Sequence, residues 1–228
     1  VSFTVEESFH LMKEASEKSD LLTLSEIGRS VEDRPLYIIK AALPEVSEDK
    51  YSNPWRVLLI GAQHGDEPAG NDALIDLIIE ISEDRGLVPE NTEWYFVPII
   101  NPDGTRRNQR RNANNVDLNR DHQLLSQPET LALHKLQQKI KAHMVIDCHE
   151  YTRDPESWTK EGMIKKPLIT LGTVNSPFVH PEIQKMARER LESAFDVFSE
   201  TPYSFDEYYV GGPPPYKEMR PSFHGIDD

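Results

Sequence analysis

A single cysteine, Cys148, stands in the 228 residues, so no internal disulfide is possible and the redox compartment stays open. No apolar run approaches the roughly 18 residues that a membrane-spanning helix needs. Basic side chains are scarce: 25 Lys and Arg face 39 Asp and Glu, a formal net charge of −14. That balance argues against nucleic acid and other anionic surfaces as partners. Internal repeats and a clear domain boundary are also missing. What remains, 37% hydrophobic and 28% charged residues, suits one globular domain with a sizeable core.

Within that chain, apolar periodicity switches between two and 3.6 residues. Val5–Ser19, Glu67–Asp84, Ser126–Ala142 and Pro181–Phe198 read as helices, the last two with a proline in the first turn. Leu36–Leu43, Trp55–Ala62, Glu93–Ile100, His143–His149 and Leu168–Val174 read as strands, with Pro98 suggesting a bulge or an edge. Alternating strands and helices predict an α/β fold, a twisted sheet with helices on both faces. Residues 1–21 are expected to form an N-terminal helical extension and 22–228 a single further domain.

The chemistry concentrates in three places. Gly61-Ala-Gln-His-Gly-Asp-Glu67 follows an apolar strand and sets His64 and Glu67 three residues apart, where both can reach one metal ion. A second apolar strand ends on His149. Two histidines and one carboxylate, with a fourth position left for water, compose a catalytic rather than a structural zinc site. Between them lies Asn101-Pro-Asp-Gly104, a turn signature whose glycine would supply a left-handed position. Arg106, Arg107, Arg110, Arg111 and Arg120 follow closely, a basic island in an acidic chain. They alternate with asparagine rather than aromatics, which favours binding of an anionic substrate end over nucleic acid.

Together with Asn115-Val-Asp-Leu-Asn-Arg120, these motifs resemble the zinc carboxypeptidases of the M14 (carboxypeptidase A-like) family, in spacing more like compact bacterial members such as murein-peptide amidases. Gly28-Arg-Ser-Val-Glu-Asp-Arg-Pro35 is similar to an element near the start of that domain, with Asp33 where the family has glycine. The resemblance covers about residues 22–150. It implies the family's mixed sheet and one zinc ion held by His64, Glu67 and His149. Asp117 would hold the far nitrogen of a ligand histidine, and Asn119 and Arg120 would grip the free carboxylate of a peptide. Arg110 would stabilise the oxyanion, with Arg111 its competitor because the Arg-Arg pair leaves the register open by one.

The implied activity is hydrolysis of a peptide or amide bond beside a free C-terminal carboxylate, by zinc-activated water. Two other readings stay open: a zinc-dependent N-acyl amino acid deacylase like aspartoacylase or succinylglutamate desuccinylase, and a catalytically silent peptide-binding domain. The family takes its general base from a glutamate on a late apolar strand. Glu182, Glu189 and Glu192 fall on a helix, Glu207 and Glu218 lie among prolines and tyrosines, and Glu150 adjoins a ligand on the opposite face of a strand. The base, a substrate-covering tyrosine and part of the specificity pocket are therefore expected beyond Asp228, the domain being C-terminally incomplete. Gly211-Gly-Pro-Pro-Pro215 reads as a rim or flap, and Tyr203, Tyr208, Tyr209 and Tyr216 as candidates to cover a substrate. Cys148 reads as a buried apolar thiol and His122 as a packing or rim residue. A periplasmic or secreted location is favoured over a cytoplasmic one, and oligomeric state is left undetermined.

Overall fold

The computed structural model describes residues 2–43, 53–151, 156–160, 162, 168–173 and 179–208. Two units divide the chain, Val1–Glu150 and Tyr151–Asp227.

In the first unit, α1 (Val5–Lys18) begins on a capping box. Thr4 Oγ1 accepts from the Glu7 backbone N–H, and the Glu7 carboxylate accepts from the Thr4 backbone N–H. Strands β1 (Leu22–Arg29), β2 (Pro35–Ala42), β3 (Trp55–Ile60), β4 (Thr92–Val97) and β5 (Met144–Asp147) form one sheet in the order β1-β2-β4-β3-β5. β1, β2 and β4 pair antiparallel, whereas β3 pairs parallel with both β4 and β5, so the sheet is mixed. Parallel pairing carries both β3 and β5 toward the same end of the sheet, and that end holds the site.

Strand alternation distributes the core between two faces. Ile39, Ala41, Leu59 and Phe96 pack with Met12 and Ala15 of α1 and with Leu74, Ile75, Ile78 and Ile81 of α2 (Pro68–Glu83). Leu36, Ile38, Leu58 and Ile60 have the opposite parity and are equally buried. Helix α4 (Pro128–Ile140) covers that second side. A Cβ on Gly28 would stand 2.9 Å from Ala132 Cβ and 3.8 Å from Leu36 Cδ1, so the glycine admits the helix.

Several expectations change in this unit. β1 is a full strand that the sequence pattern did not announce. Its apolar alternation, Leu22 and Leu24, ends at an irregularity between Glu26 and Gly28. Pro98 marks neither a bulge nor an edge, because β4 is central and ends at Val97, so the missing N–H costs no ladder bond. Asn101-Pro-Asp-Gly is not a free turn but the start of a short helix, α3 (Pro102–Arg107). Asn101 is its N-cap, and Gly104 serves close approach rather than a left-handed φ. A Cβ there would lie 2.5 Å from Asn101 Nδ2 and 2.7 Å from the Arg111 carbonyl oxygen.

Asp33, by contrast, does occupy the left-handed region, at φ 61° in the β1–β2 hairpin. Glycine adopts that conformation without the Cβ penalty. Its side chain is exposed and only 3.5 Å from Arg29, a pair of little worth. We expect Asp33→Gly to raise stability by about 0.5 kcal/mol, read as a higher urea midpoint at unchanged slope.

The same hairpin explains the rest of its motif. Ser30 Oγ donates to Asp103 Oδ1 (2.9 Å), the Glu32 backbone N–H donates to Asp103 Oδ2 (3.0 Å), and Arg34 pairs with Asp103. Asp103 is fully buried, so these donors are what permit its charge there and fix α3 against the hairpin. Glu129, also fully buried, accepts from the Val31 backbone and from Asn112, and burial pushes its carboxyl up.

In the second unit α5 (Glu156–Thr159) and α6 (Pro181–Ser199) accompany a two-stranded parallel sheet, β6 (Ile169–Leu171) with β7 (Phe205–Glu207). Glu207 thus lies on a short strand rather than in an irregular tail, and pairs with Arg188 at 2.9 Å. Val174, Tyr209, Tyr216, Glu218 and the Gly211–Pro215 segment lie outside the described residues. No described helix is long and apolar enough to cross a membrane.

Candidate metal centre

The loop after β3 carries His64 and Glu67, and the residues just past β5 carry His149. One ligand atom from each lies within 4.8 Å of the others. Backbone packing sets this loop. Ala62 is held at φ 43°, and a Cβ on Gly65 would fall 2.1 Å from Gly104 C and 2.3 Å from Thr105 N, both backbone of α3. Asn101, fully buried, ties the pieces together: its Oδ1 accepts from Gly104 N–H, and its Nδ2 donates to the carbonyls of Gln63 and Arg110. The Asn-Pro-Asp-Gly motif therefore places the His64 loop and the arginine loop side by side.

Both imidazoles turn Nδ1 toward Glu67. His64 Nδ1 lies 2.8 Å from Oε1 and His149 Nδ1 2.7 Å from Oε2. Their far nitrogens are each held by a carboxylate. His64 Nε2 is 3.1 Å from Asp117 Oδ1, and His149 Nε2 is 2.9 Å from Asp147 Oδ2. A carboxylate only accepts, so Nε2 of each ring carries a proton; Nδ1, which without a metal donates to Glu67, is the nitrogen that would give up its proton to a metal ion. That donor set fits zinc: two imidazole nitrogens and a carboxylate oxygen converging, each ring oriented from behind.

Electrostatics agrees. Burial opposes charge on His149, yet Asp147 and Glu67 hold its imidazole up at about 10. Burial likewise opposes charge on Glu67, but the two rings hold it down at about 2. Asp117, against its own burial, is kept well below the usual carboxylate range by His64 and Arg110. Without a metal, protons thus occupy the space between the rings, and a divalent cation bound there would displace them.

The remaining residues singled out in the sequence fall around this cluster. Arg110 pairs with Asp117 and lies 3.3 Å from Glu67 Oε1, whereas Arg111 donates to the Asn115 carbonyl. Asn119 is buried, with Nδ2 3.2 Å from His149 Nε2, and its Oδ1 has no partner among the described residues. Arg120 is exposed, donates to the Asn119 carbonyl, and pairs with no carboxylate among the described residues. Glu150 does not face the cluster with its carboxylate free, since that group accepts from the Ala69 backbone N–H at the start of α2. Burial pushes the Cys148 thiol up to about 11, which makes it a neutral packing group. Thr152 and Arg153, which also follow the third histidine, lie outside the described residues.

Three polar residues stand behind the cluster with no metal-site role legible in the sequence, where His122 reads only as packing or rim. Asp147 was one, although Asp-x-His at a strand end puts both side chains on one face. The others are Gln63 and His122, which only the fold brings together.

A two-histidine, one-carboxylate centre at the ends of parallel strands is the arrangement of a catalytic zinc enzyme. The zinc carboxypeptidase profile matches residues 10–201. The chain belongs to the zinc carboxypeptidase (M14) family of metallopeptidases. It is 31% identical over 146 residues to carboxypeptidase 2 of Trichophyton rubrum, covering 62% of this chain and 27% of that one. Human carboxypeptidase D is 32% identical over 151 residues, 54% of this chain and 10% of that one. In fold it is similar to a metallo-carboxypeptidase from Burkholderia cenocepacia, with a TM-score of 0.71 and 21% identity over 91% of this chain and 54% of that one. A Pseudomonas aeruginosa metallo-carboxypeptidase gives 0.64 and 21%, over 93% of this chain and 52% of that one. The chain thus spans about half of these structures and about a quarter or less of the two sequence relatives named.

Proposed function

We propose that this chain carries the zinc-binding half of a carboxypeptidase that removes residues from peptides ending in a free carboxylate. The observation that carries this reading is the convergence of His64, Glu67 and His149 with both rings oriented through Nε2. These three residues would hold one zinc ion. Bound there, zinc supplies Lewis acidity toward a carbonyl oxygen and toward water.

The protein's own groups divide the rest of the task. Asp117 and Asp147 fix ring orientation and tautomer. Arg110 offers a fixed positive charge where negative charge develops on a carbonyl oxygen, and its engagement with Asp117 and Glu67 favours it over Arg111. Arg120, with no carboxylate partner among the described residues, is suited to a peptide's terminal carboxylate, and an N–H of the neighbouring Asn119 side-chain amide to a second contact beside it.

The test is binding of paired peptides, one ending in a free carboxylate and one amidated, by calorimetry. Arg120→Ala should weaken the free acid roughly 10–100-fold, as loss of a charged hydrogen bond implies, and leave the amide within about threefold. Equal losses for both would remove the carboxylate grip from Arg120. Binding and cleavage of small N-acyl amino acids with no response to peptides would favour a deacylase instead.

A further inference from the structure

Behind His149 runs a line of polar contacts that neither the zinc reading nor the motifs require. Asp147 Oδ2, which receives His149 Nε2, also accepts from Gln63 Nε2 at 3.0 Å. The other end of that amide, Gln63 Oε1, is 2.6 Å from His122 Nε2. His122 Nδ1 in turn lies 3.2 Å from His134 Nε2, the two rings tilted by 33°. Gln63 and His122 are buried, at 2% and 9% exposure, so water does not compete for these contacts.

The chemistry of each group fixes the direction of the line. Asp147 only accepts, so Gln63 must present its NH2 to it and its oxygen to His122. That oxygen only accepts, so His122 carries its proton on Nε2 and receives one at Nδ1 from His134. Burial and the neighbouring His134 hold His122 down at about 4, so the ring is neutral at ordinary pH and can donate and accept at once. Every donor therefore points from α4 toward Asp147.

We propose that His122 is a positioning residue for the metal centre: by locking the Gln63 amide it fixes the Asp147 carboxylate that orients His149. The proposal rests on the zinc reading of that centre. Without the His122 donor, Gln63 Oε1 is a buried acceptor that has lost its partner, and the amide is held from one end only, by its contact to Asp147. As the amide shifts to satisfy that oxygen, its hold on Asp147 loosens, and the acceptor of the His149 Nε2 proton is less firmly placed.

The test is zinc affinity, measured by competition with a chromogenic chelator at fixed pH, for the wild type and three variants. His122→Leu removes the donor and should weaken zinc about tenfold, the lower end of what outer-shell partners contribute. His122→Gln places an amide N–H near the position of Nε2 and should return affinity to within about twofold of wild type. Gln63→Met, which breaks the line one step closer to the metal, should lose at least as much as His122→Leu and serves if that variant does not fold. Unchanged affinity in His122→Leu or in Gln63→Met overturns the proposal, as does equal loss in His122→Leu and His122→Gln. A wild type that binds no zinc overturns the metal assignment itself, and the positioning role with it.

Discussion

Glu67→Gln weakens zinc binding by roughly 10²–10³-fold while leaving the fold in place. Structural zinc sites gain on the order of 10–16 kcal/mol from their full donor set, so one charged donor accounts for several kcal/mol of it. The amide is close to isosteric with the carboxylate, which keeps the loop's shape. It cannot, however, accept from both imidazoles, as Glu67 does now through Oε1 and Oε2. The Arg110 contact to Oε1 also loses its charge complement. Isothermal titration with zinc reads the effect, and a thermal melt of the metal-free variant separates it from unfolding. A variant that binds zinc as tightly as wild type would take Glu67 out of the ligand set.

The second large effect comes from a residue with no side chain. In Gly65→Ala the new methyl carbon would sit 2.1 Å from Gly104 C, 2.3 Å from Thr105 N and 2.5 Å from the Gln109 carbonyl oxygen. All three are backbone atoms, and real Cβ atoms do not approach so closely, so the loop or α3 must move. Overpacking of a tight interior typically costs about 1–3 kcal/mol, and a clash with backbone alone belongs at or above the top of that range. Since Gly65 follows His64 directly, the same displacement takes the first ligand away from the other two. We expect a lower urea midpoint by an amount equal to about 3 kcal/mol and loss of stoichiometric zinc. Gly86→Ala is the control, because the nearest atom there is Asp84 Oδ1, the end of a movable side chain, at 3.1 Å.

That contrast shows what the sequence could and could not reveal. The four long helices were legible because each buries one stripe, as Leu74, Ile75, Ile78 and Ile81 do in α2, and 3.6-residue periodicity records that directly. The candidate ligands were legible because few side chains bind zinc and the strand ends present them, and the fold brings His64, Glu67 and His149 together. β1 was not, since its alternation is too short and is broken between Glu26 and Gly28. Gly65 and Gly104 were visible as glycines, but the reason for them is a loop-to-helix distance that exists only in the fold. The Gln63–His122 contact joins residues 59 apart through the meeting of a strand end and a loop, and nothing local announces it. Asp147 falls between these cases: the β3–β5 register sets it opposite Ile60, three residues before Gln63, and the pattern Asp-x-His hints at its direction. Family and candidate residues are legible where chemistry restricts residue type, and what positions them is not, because geometry decides it.

The proposed function requires a single zinc ion held through the Nδ1 atoms of His64 and His149 and the carboxylate of Glu67. Anomalous diffraction from zinc-soaked crystals, recorded on both sides of the zinc absorption edge, tests it most directly. One strong peak is expected, bounded by those three groups, with His64 Nε2 and His149 Nε2 still directed at Asp117 and Asp147. A peak elsewhere, no peak at this position, or ligation through Nε2 would contradict it.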